Sequence, residues 1–327
     1  MKKVKVAFIG AGNLANAVHY PSVVALEDVE IVALCDLDEA RRKSTAEKFK
    51  VPRTYASHKQ MMAEVNPDAV YALMPPHVLF DVAMDVLEAG KHMFIEKPPA
   101  VTTFQTDCLA RAAERKGVCT AVGFQRRYHP LFLRCWEEVK KRGRVHQVVS
   151  TFHKCMPPSE AYPYYRGAID ILHCDAIHAV DALRFYAGLA DVKSVSSVVE
   201  TVDAWYNTSF NALVSFANGC VGVLSCNWRS GRRILKMEYH GCNACAEADA
   251  DGAGMVWAGG DAKPVLQSTF TEAGGSSAGN VAQGFLGESR AFIDAVKDGR
   301  QVHNNLRDAV KSMDLVDRIY ASAARPG

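Results

Sequence analysis

Residues 3–15 read KVKVAFIGAGNLA, an apolar strand pattern that runs directly into two glycines separated by one residue. Gly10 permits a tight turn, and Gly12 lets a ligand approach the backbone closely. Ala15 keeps the following helix near the strand, and the N-terminus of that helix offers unpaired N–H groups to an anion. The stretch therefore predicts a phosphate-binding turn at the start of a βαβ fold, although similar turns also occur without a ligand.

Residues 1–125 continue this alternation of apolar strands and amphipathic helices. Strand patterns recur at EIVALCD, DAVYALMPP, KHMFIEKP and VCTAVGF, with helical patterns between them. Near-continuous apolar strands joined by helices are typical of a parallel sheet that is covered on both faces. We therefore predict that residues 1–125 form an α/β domain of the Rossmann type, with a doubly wound parallel sheet.

Residues 126–327 follow a different pattern. Alternating strands succeed one another with short turn signals, such as Asn-Gly at 218–219 and Ser-Gly at 230–231. They predict an α+β domain with a large, mostly antiparallel open sheet. The other elements expected here are helices at 169–187, 284–298 and 305–323 and a loop rich in Gly, Ala and Ser at 251–280.

The composition of the 327-residue chain is that of a globular protein, with 49% hydrophobic and 23% charged residues. A formal net charge of +2 without a basic block argues against nucleic acid as a partner. No window approaches the roughly 18 apolar residues that a membrane span needs. Ten scattered cysteines fit reduced thiols and a cytoplasmic protein. Cys242 and Cys245 form one CxxC without a second pair, so we expect a turn there and no metal site.

The strand EIVALCD ends in an acid, Asp36, 24 residues beyond Gly12. A carboxylate at this position accepts hydrogen bonds from the hydroxyls of an adenosine ribose and repels a 2′-phosphate. The sequence therefore predicts NAD as cofactor in preference to NADP, unless Asp36 only caps the next helix. Arg41 and Arg42 follow closely and could weaken that preference, or they could simply form a solvated helix face.

Residues 92–103, HMFIEKPPAVTT, place a charged pair at the end of an apolar strand and directly before two prolines. In an open parallel sheet, ligands bind beyond the carboxyl ends of the strands, which is where Glu96 and Lys97 lie. Because successive strand residues point to opposite sides, we expect Lys97 to face the cleft rather than to pair with Glu96. The alternative is a lysine that ends a strand in solvent.

Four motifs, GAGNLA, CDLDEAR, AGKHMFIEKPPAVT and GFQRRYHP, resemble the glucose-fructose oxidoreductase and inositol dehydrogenase family (Gfo/Idh/MocA), whose hallmark is the EKP triplet. The resemblance implies that Lys97 lies near the nicotinamide and the reacting hydroxyl, and that the bond before Pro98 is cis. Removing a hydride from a carbinol also requires removal of the hydroxyl proton, a task suited to a lysine shielded from water. The cofactor contacts that motif and resemblance indicate are Gly10, Gly12, Asn13, Leu14, Asp36, Arg41, Pro75, Glu96, Lys97 and Arg127.

Residues 170–188, DILHCDAIHAVDALRFYAG, resemble the second catalytic segment of the same family. The resemblance assigns to His178 the histidine that contacts the substrate hydroxyl. The family's Asp, four residues earlier, is replaced by Cys174. Asp175 could stand in for it, because residues three and four apart share a helix face. We expect Asp181 to bind Arg184 or nearby backbone rather than substrate.

Aromatic and guanidinium groups flank this segment and would suit a polyhydroxylated ligand, although each could equally serve packing. The predicted substrate contacts are Lys97, Tyr165, Arg166, Asp175, His178 and Trp228, and the predicted catalytic residues are Lys97, His178 and Asp175. Together they indicate an NAD-dependent oxidoreductase that acts on a secondary hydroxyl or ketone of a sugar, inositol or related polyol. The resemblance also implies a homodimer or homotetramer formed through the second-domain sheet.

Two other functions stay open at this point. Some relatives keep NAD bound and cleave a glycosidic bond by transient oxidation and elimination, and the altered spacing of Asp and His leaves room for that reaction. A few relatives are regulatory sensors that bind the nucleotide without turnover. The presence of Lys97 and His178 argues against a sensor.

Overall fold

The computed structural model of the protein describes residues 3–157, 162 and 164–323. These residues divide into two compact units. Unit 1 contains the described residues of 1–124, 279–281 and 285–311, and unit 2 contains those of 125–278, 282–284 and 312–327. The polypeptide therefore returns to unit 1 near its end.

Unit 1 is built on a six-stranded sheet in which every paired strand runs parallel, with the order β3-β2-β1-β4-β5-β6. The predicted Rossmann-type sheet is confirmed. The strand order reverses between β1 and β4, and such a reversal opens a crevice at the carboxyl ends of the strands. The strands are β1 (Val4–Ile9), β2 (Val29–Cys35), β3 (Thr54–Tyr55), β4 (Ala69–Ala72), β5 (His92–Ile95) and β6 (Thr120–Val122).

Three of the described helices between these strands begin at side-chain caps. Asp38, Ser57 and Thr102 each accept a hydrogen bond from the backbone N–H three residues later, which satisfies one free donor of a helix N-terminus. The helix after β1 starts with a π-helical turn, Ala15–His19. The following helices are α1 (Tyr20–Val24), α2 (Glu39–Phe49), α3 (His58–Val65), α4 (Pro76–Glu88) and α5 (Thr103–Lys116).

A column of aromatic rings forms the core on one face of this sheet. Phe8, Tyr71 and Phe94 occupy matching register positions on β1, β4 and β5. Their rings stack, with centroids 4.9 Å apart for Phe8 and Tyr71 and 4.7 Å apart for Tyr71 and Phe94. Phe292, from the late part of the chain, meets Tyr71 edge-on at 5.6 Å. The column therefore joins segments that lie far apart in sequence.

Unit 2 contains an eight-stranded sheet with the order β14-β13-β12-β11-β7-β10-β9-β8. Only β7 and β10 pair in parallel among its described strands, so the predicted mostly antiparallel sheet is confirmed. Its strands are β7 (Val145–Cys155), β8 (Val192–Glu200), β9 (Ser209–Phe216), β10 (Val221–Asn227), β11 (Arg229–Gly241), β12 (Ala244–Asp249), β13 (Ala253–Ala258) and β14 (Leu266–Thr269).

Several local predictions in this part of the chain were wrong. The loop expected at 251–280 contains β13 and β14. They extend the sheet, because β13 pairs with β12 and β14 pairs with β13. The Ser-Gly turn at 230–231 lies inside β11, where a register shift against β7 absorbs it. The helix expected at 169–187 is two helices, α7 (Ile171–Cys174) and α8 (Ile177–Tyr186), with a break at Asp175. The remaining helices are α6 (Pro130–Lys140), α9 (Phe270–Gly274), α10 (Gly279–Ala282), α11 (Phe285–Asp298) and α12 (Leu306–Ala321).

Helix length and hydropathy bear on the expectation that the chain does not enter a membrane. None of the helices in the described ranges combines the length and the apolar character that crossing a bilayer requires.

Candidate active site

The glycine turn after β1 has the conformation and the space that a dinucleotide phosphate would need. Gly10 has a φ of +110°, and a side chain there would collide with the carbonyl oxygen of Leu73. Around Gly12, by contrast, no heavy atom of the described residues beyond its own chain neighbours lies within 4 Å of the position that a Cβ would take. Leu14, on the following turn, is 48% exposed. Open backbone beside an exposed apolar side chain fits a bound pyrophosphate and its sugar.

Asp36 is fixed beside this turn. One oxygen of its carboxylate accepts the Ala11 N–H at 2.8 Å, and the other accepts the Asp38 N–H at 2.9 Å. Arg41 Nη2 lies 3.5 Å from Asp36 Oδ1, and the Arg41 side chain is 55% exposed. Arg42 donates instead to the backbone carbonyl of Asp36, at 2.7 Å. Two backbone N–H groups therefore hold the acid beside the glycine turn, with one exposed cation next to it.

Asn16 also shapes the glycine turn. Its side-chain amide donates to the carbonyl oxygens of Ala11 at 2.9 Å and of Gly12 at 3.2 Å. The same amide group hydrogen-bonds to Thr45, a buried residue of α2. Sequence reasoning missed this residue, although an Asn directly after a GxGxxA motif is placed to fold back on the turn. Pro75, another predicted contact, is exposed and precedes α4 at the carboxyl end of β4.

Glu96 and Lys97 follow β5 at the same edge of the sheet. Glu96 is buried, and the Lys97 side chain is half-buried among the buried residues around it. The bond between Lys97 and Pro98 is cis. One Glu96 oxygen accepts the backbone N–H of Lys97 at 3.0 Å, and the other lies 2.8 Å from His19 Nε2. Of the charged pair at the strand end, Glu96 is thus held inside the protein while Lys97 stays partly accessible.

In unit 2, the predicted catalytic segment is interrupted at Asp175. Its backbone, with φ −121° and ψ −45°, leaves the helical conformation after α7. Cys174, at the family's Asp position, is buried. The backbone N–H of His178 donates to the Asp175 carbonyl oxygen at 3.2 Å, and His178 is 8% exposed. The break changes which way the Asp175 carboxylate is directed relative to a continuous helix.

The Asp175 carboxylate takes part in a compact polar cluster, which consists of Lys154, Tyr164, Asp175 and Trp228. Asp175 Oδ2 forms an ion pair with Lys154 and accepts the Tyr164 hydroxyl at 2.5 Å. Trp228 Nε1 donates to the Tyr164 oxygen at 3.0 Å. Burial, together with the charge of Asp175 and the hydrogen bond to it, raises the pKa of Tyr164 well above its ordinary value. The tyrosine therefore stays a neutral donor.

Lys154 is the member of this cluster that sequence reasoning missed. Its ammonium lies 5.2 Å from the ring centroid of Phe152 and 5.7 Å from that of Trp228. The side chain is 28% exposed, against 12% for Asp175. A signal was present, because Lys154 stands near the end of a long alternating strand, as Lys97 stands at the end of an apolar one.

Arg127, predicted to contact the cofactor, is held in the interior of unit 2. Its guanidinium forms two hydrogen bonds to Asp181, at 2.8 and 2.5 Å, and both side chains are almost fully buried. Ser312 donates to the same carboxylate at 2.7 Å and accepts from Arg184 at 2.6 Å. Asp181 thus has Arg127 as an ion-pair partner. The cofactor contact predicted for Arg127 stays a prediction.

The other predicted substrate contacts differ in exposure. Trp228 is fully buried, and its indole N–H is used by Tyr164. Tyr165 and Arg166 are exposed on a short 3₁₀ turn and both have positive φ angles, 46° and 56°. Such angles are uncommon for residues with side chains, and they often mark turns of functional interest.

The cysteines and acidic groups bear on the question of a metal. Cys242 and Asn243 form the turn between β11 and β12, as the sequence predicted. In the described ranges, no group of three or more His, Cys, Asp or Glu side chains could hold a metal ion.

The reversed strand order, the glycine turn and the fixed acid after β2 define the class of protein as a Rossmann-type dinucleotide-binding protein. Comparison with family models agrees with this class. Residues 4–124 match the model described as "Oxidoreductase family, NAD-binding Rossmann fold", and residues 138–247 match the model of the GFO/IDH/MocA C-terminal domain. The chain belongs to the GFO/IDH/MocA family of oxidoreductases, and its Rossmann domain is an NAD(P)-binding domain.

Known relatives include sugar dehydrogenases. The chain is 25% identical over 318 residues to a D-xylose 1-dehydrogenase (NADP(+)) of Haloferax volcanii, covering 93% of this chain and 92% of that protein. It is 28% identical over 201 residues to the D-glucoside 3-dehydrogenase of Escherichia coli, covering 59% and 57%. The solved structure of levoglucosan dehydrogenase with NADH and L-sorbose superposes with a TM-score of 0.85 at 18% identity, covering 99% and 97%.

Proposed function

We propose that the protein is an NAD-dependent oxidoreductase that transfers a hydride between nicotinamide and a secondary hydroxyl or ketone of a sugar, inositol or related polyol. The observation that carries the proposal is Lys97, half-buried directly after β5 and flanked by the buried Glu96 and a cis proline bond. A lysine in such surroundings is suited to proton transfer rather than to solubility. The sugar dehydrogenases among the relatives support the substrate class.

Each unit would supply its own part of the chemistry. The cofactor, when bound, takes up or gives back the hydride. Lys97 accepts the proton of the substrate hydroxyl during oxidation and returns it during reduction. His178 and Asp175 orient the substrate, and Lys154 with Tyr164 holds the Asp175 carboxylate in place. Tyr165, Arg166 and Trp228 are proposed as further substrate contacts.

The proposed cofactor is NAD rather than NADP. Asp36 presents a carboxylate fixed by two backbone N–H groups, and such an acid attracts ribose hydroxyls and repels a phosphate. Gly10, Gly12, Asn13 and Leu14 would hold the pyrophosphate side of the molecule. Arg41 is the group that could offset the acid, and a relative named for NADP(+) is a reason to measure both cofactors.

The decisive assay incubates the purified protein with NAD or NADP and a panel of sugars, inositols and glycosides. Net formation of reduced cofactor with one panel member is the expected result. Lys97→Met should abolish this activity while cofactor binding, measured by fluorescence, stays within about tenfold, since one lost hydrogen bond of about 0.5–1.5 kcal/mol accounts for no more than that. Unchanged turnover of Lys97→Met would refute the assigned role of Lys97.

A second candidate function is an NAD-retaining glycosidase that acts by transient oxidation and elimination. The observation in its favour is the displaced acid, because Asp175 leaves the helix and binds Lys154 and Tyr164 instead of occupying the position of Cys174. Release of an aglycone without net NADH would identify this reaction. Cofactor binding without either product would indicate a regulatory sensor.

We further propose that the protein is a cytoplasmic homodimer or homotetramer. All ten cysteines are free thiols, as expected in a reducing compartment. Leu213 and Val198, on adjacent strands of the unit 2 sheet, are 52% and 47% exposed, and apolar side chains on a sheet face favour association. Light scattering coupled to gel filtration would measure the mass, and a monomer at micromolar concentration would refute the oligomer.

A further inference from the structure

A buried histidine and glutamate lie behind the proposed catalytic lysine. His19 is 0% exposed, and Glu96 is 7% exposed. His19 Nε2 lies 2.8 Å from Glu96 Oε1, and Glu96 Oε2 accepts the backbone N–H of Lys97 at 3.0 Å. The carboxylate therefore connects the helix that follows the glycine turn to the residue at the end of β5.

The hydrogen bonds define the tautomer of His19. Its Nδ1 is buried and, within the described part of the chain, has no hydrogen-bond partner. A proton on this nitrogen would be a buried donor without an acceptor, which costs about 1–3 kcal/mol. Because a carboxylate oxygen only accepts, the His19 nitrogen that faces it, Nε2, is the one that carries a proton and donates it to Glu96. Both oxygens of the Glu96 carboxylate are then fixed by donors.

The surroundings leave the pair little freedom. A Cβ on Gly123 would lie 2.8 Å from Glu96 Oε1, so the space beside the carboxylate is available only because residue 123 is a glycine. Phe94 and Phe285 meet the imidazole of His19 edge-on, with centroids at 5.4 and 5.5 Å. His19 ends the π-helical turn Ala15–His19, and such turns often occur at functional sites.

We propose that His19 is a positioning residue for Lys97 and that it acts through Glu96. The His19 N–H holds one oxygen of Glu96, the other oxygen holds the Lys97 backbone, and the lysine is thereby kept in the place that proton transfer requires. The proposal rests on the proposed function of Lys97. In this proposal the Glu96 carboxylate binds the backbone N–H of Lys97 and the side chain of His19.

Two substitutions separate the hydrogen bond from packing. In His19→Gln, the side-chain amide can still donate to Glu96, whereas His19→Leu keeps the volume but has no donor. We expect His19→Leu to lower kcat by about tenfold or more, because small displacements of a reacting group have effects of this size. His19→Gln should keep kcat within a few-fold of the wild type, and both variants should keep the Kd for NADH within a few-fold. Equal loss in both variants, or no loss in His19→Leu, would overturn the proposal.

A matched control exists in the same unit. His58 Nε2 lies 2.9 Å from Asp85 Oδ2, but this pair is partly exposed and is not connected to Lys97 by any hydrogen bond among the described contacts. His58→Gln should leave kcat unchanged. A loss in His58→Gln as large as that in His19→Leu would contradict a specific role for His19.

A second readout does not depend on turnover. With ¹⁵N-labelled lysine, the backbone amide resonance of Lys97 should move away from its wild-type position in His19→Leu and stay near that position in His19→Gln and His58→Gln. An unmoved Lys97 amide in His19→Leu would overturn the proposal even if activity fell. If the wild type reduces no cofactor with any panel member, the proposed function fails, whereas the amide shift still decides whether His19 positions Lys97.

Discussion

Lys154 and Asp175 form an ion pair at the point where the chain leaves α7. The pair joins the end of strand β7 to the break between α7 and α8. Because the chain is not helical at Asp175, the ion pair with Lys154 helps to determine where this carboxylate lies.

Lys154→Met is expected to reduce both stability and turnover. It leaves the mostly buried Asp175 carboxylate with one donor fewer, which should cost about 1–3 kcal/mol in the free energy of unfolding. We also expect kcat/KM for the panel substrate to fall more than tenfold, since Asp175 would no longer be held in one orientation. Denaturant unfolding and steady-state kinetics measure the two effects.

A double-mutant cycle tests whether the two residues act together. In the double variant Lys154→Met with Asp175→Asn, the loss in kcat/KM should be smaller than the product of the single losses. Lys236→Met, on the neighbouring strand β11, is the control and should change neither the free energy of unfolding nor kcat/KM. A loss in the double variant that equals the product of the two single losses would contradict the coupling.

Asp36→Asn should shift cofactor preference toward NADP. The amide oxygen can still accept a backbone N–H, but the negative charge that repels a 2′-phosphate is gone, while Arg41 stays close by. We expect the ratio of Kd for NADP to Kd for NAD to fall by about tenfold, which corresponds to about 1.4 kcal/mol. Asp38→Asn, which alters another acid beside Arg41, is the control and should change the ratio little. An unaltered ratio in Asp36→Asn would argue that this acid does not read the ribose.

His173 should make the stability of unit 2 depend on pH. Burial lowers the pKa of His173, but its contacts with Asp170 and Asp317 outweigh this effect and raise the pKa above 6.5. Its stabilising contribution is therefore fully present below pH 6.5 and is lost as the pH rises through the folded-state pKa. Burial raises the pKa of Asp170, but its hydrogen bonds outweigh burial and lower the pKa below 3.8. The stabilising contribution of Asp170 is therefore fully present above pH 3.8 and is lost as the pH falls through the folded-state pKa.

The corresponding measurement compares His173→Gln with the wild type by thermal unfolding between pH 4.5 and 9. The variant should be less stable by about 1.5–3 kcal/mol at pH 5, the range for hydrogen bonds to charged groups, and the gap should narrow above neutrality. His153 should show the opposite pH dependence, because burial lowers its pKa. The stability of His153→Gln relative to the wild type should therefore increase as the pH falls. A His173→Gln gap that widens with rising pH would show the sign to be wrong.

Arg127→Met should destabilise the protein more than it weakens cofactor binding. Removing one partner of a pair this deeply buried leaves an uncompensated charge and costs about 3–5 kcal/mol. Asp181→Asn should have a comparable effect, since the buried Arg127 guanidinium would lose the carboxylate that it binds through two hydrogen bonds. Unfolding curves and NADH titrations of both variants distinguish this outcome. A large rise in Kd with little loss of stability would instead support a direct contact of Arg127 with the cofactor.

The parallel sheet and the nucleotide turn could be predicted because local patterns determine them. A strand buried on both faces must be apolar along its length, and the φ of +110° at Gly10 suits a glycine. The short β3 and the helix α3 were missed, since Thr54–Tyr55 is too brief to produce a pattern. Strands β13 and β14 were read as a loop because small residues obscure their alternation.

The polar contacts of the site could be predicted less well. They depend on residues distant in sequence, such as Lys154 with Asp175 or His19 with Glu96, 77 positions apart. A helical spacing rule placed Asp175 on the face of His178, but tertiary contacts end the helix at that residue. Spacing along one element therefore does not predict which distant side chains a residue contacts.

The aromatic column of unit 1 has a consequence for biosynthesis. Phe292 packs against Tyr71 and Phe94, and Ile293, Ala295 and Val302 belong to the same hydrophobic core. A ribosome must therefore translate the chain as far as Val302 before the nucleotide-binding unit can acquire its last layer. A fragment that stops at residue 124 would expose this apolar face to water, so the first 124 residues can complete their core only after residues 285–302 have been synthesised.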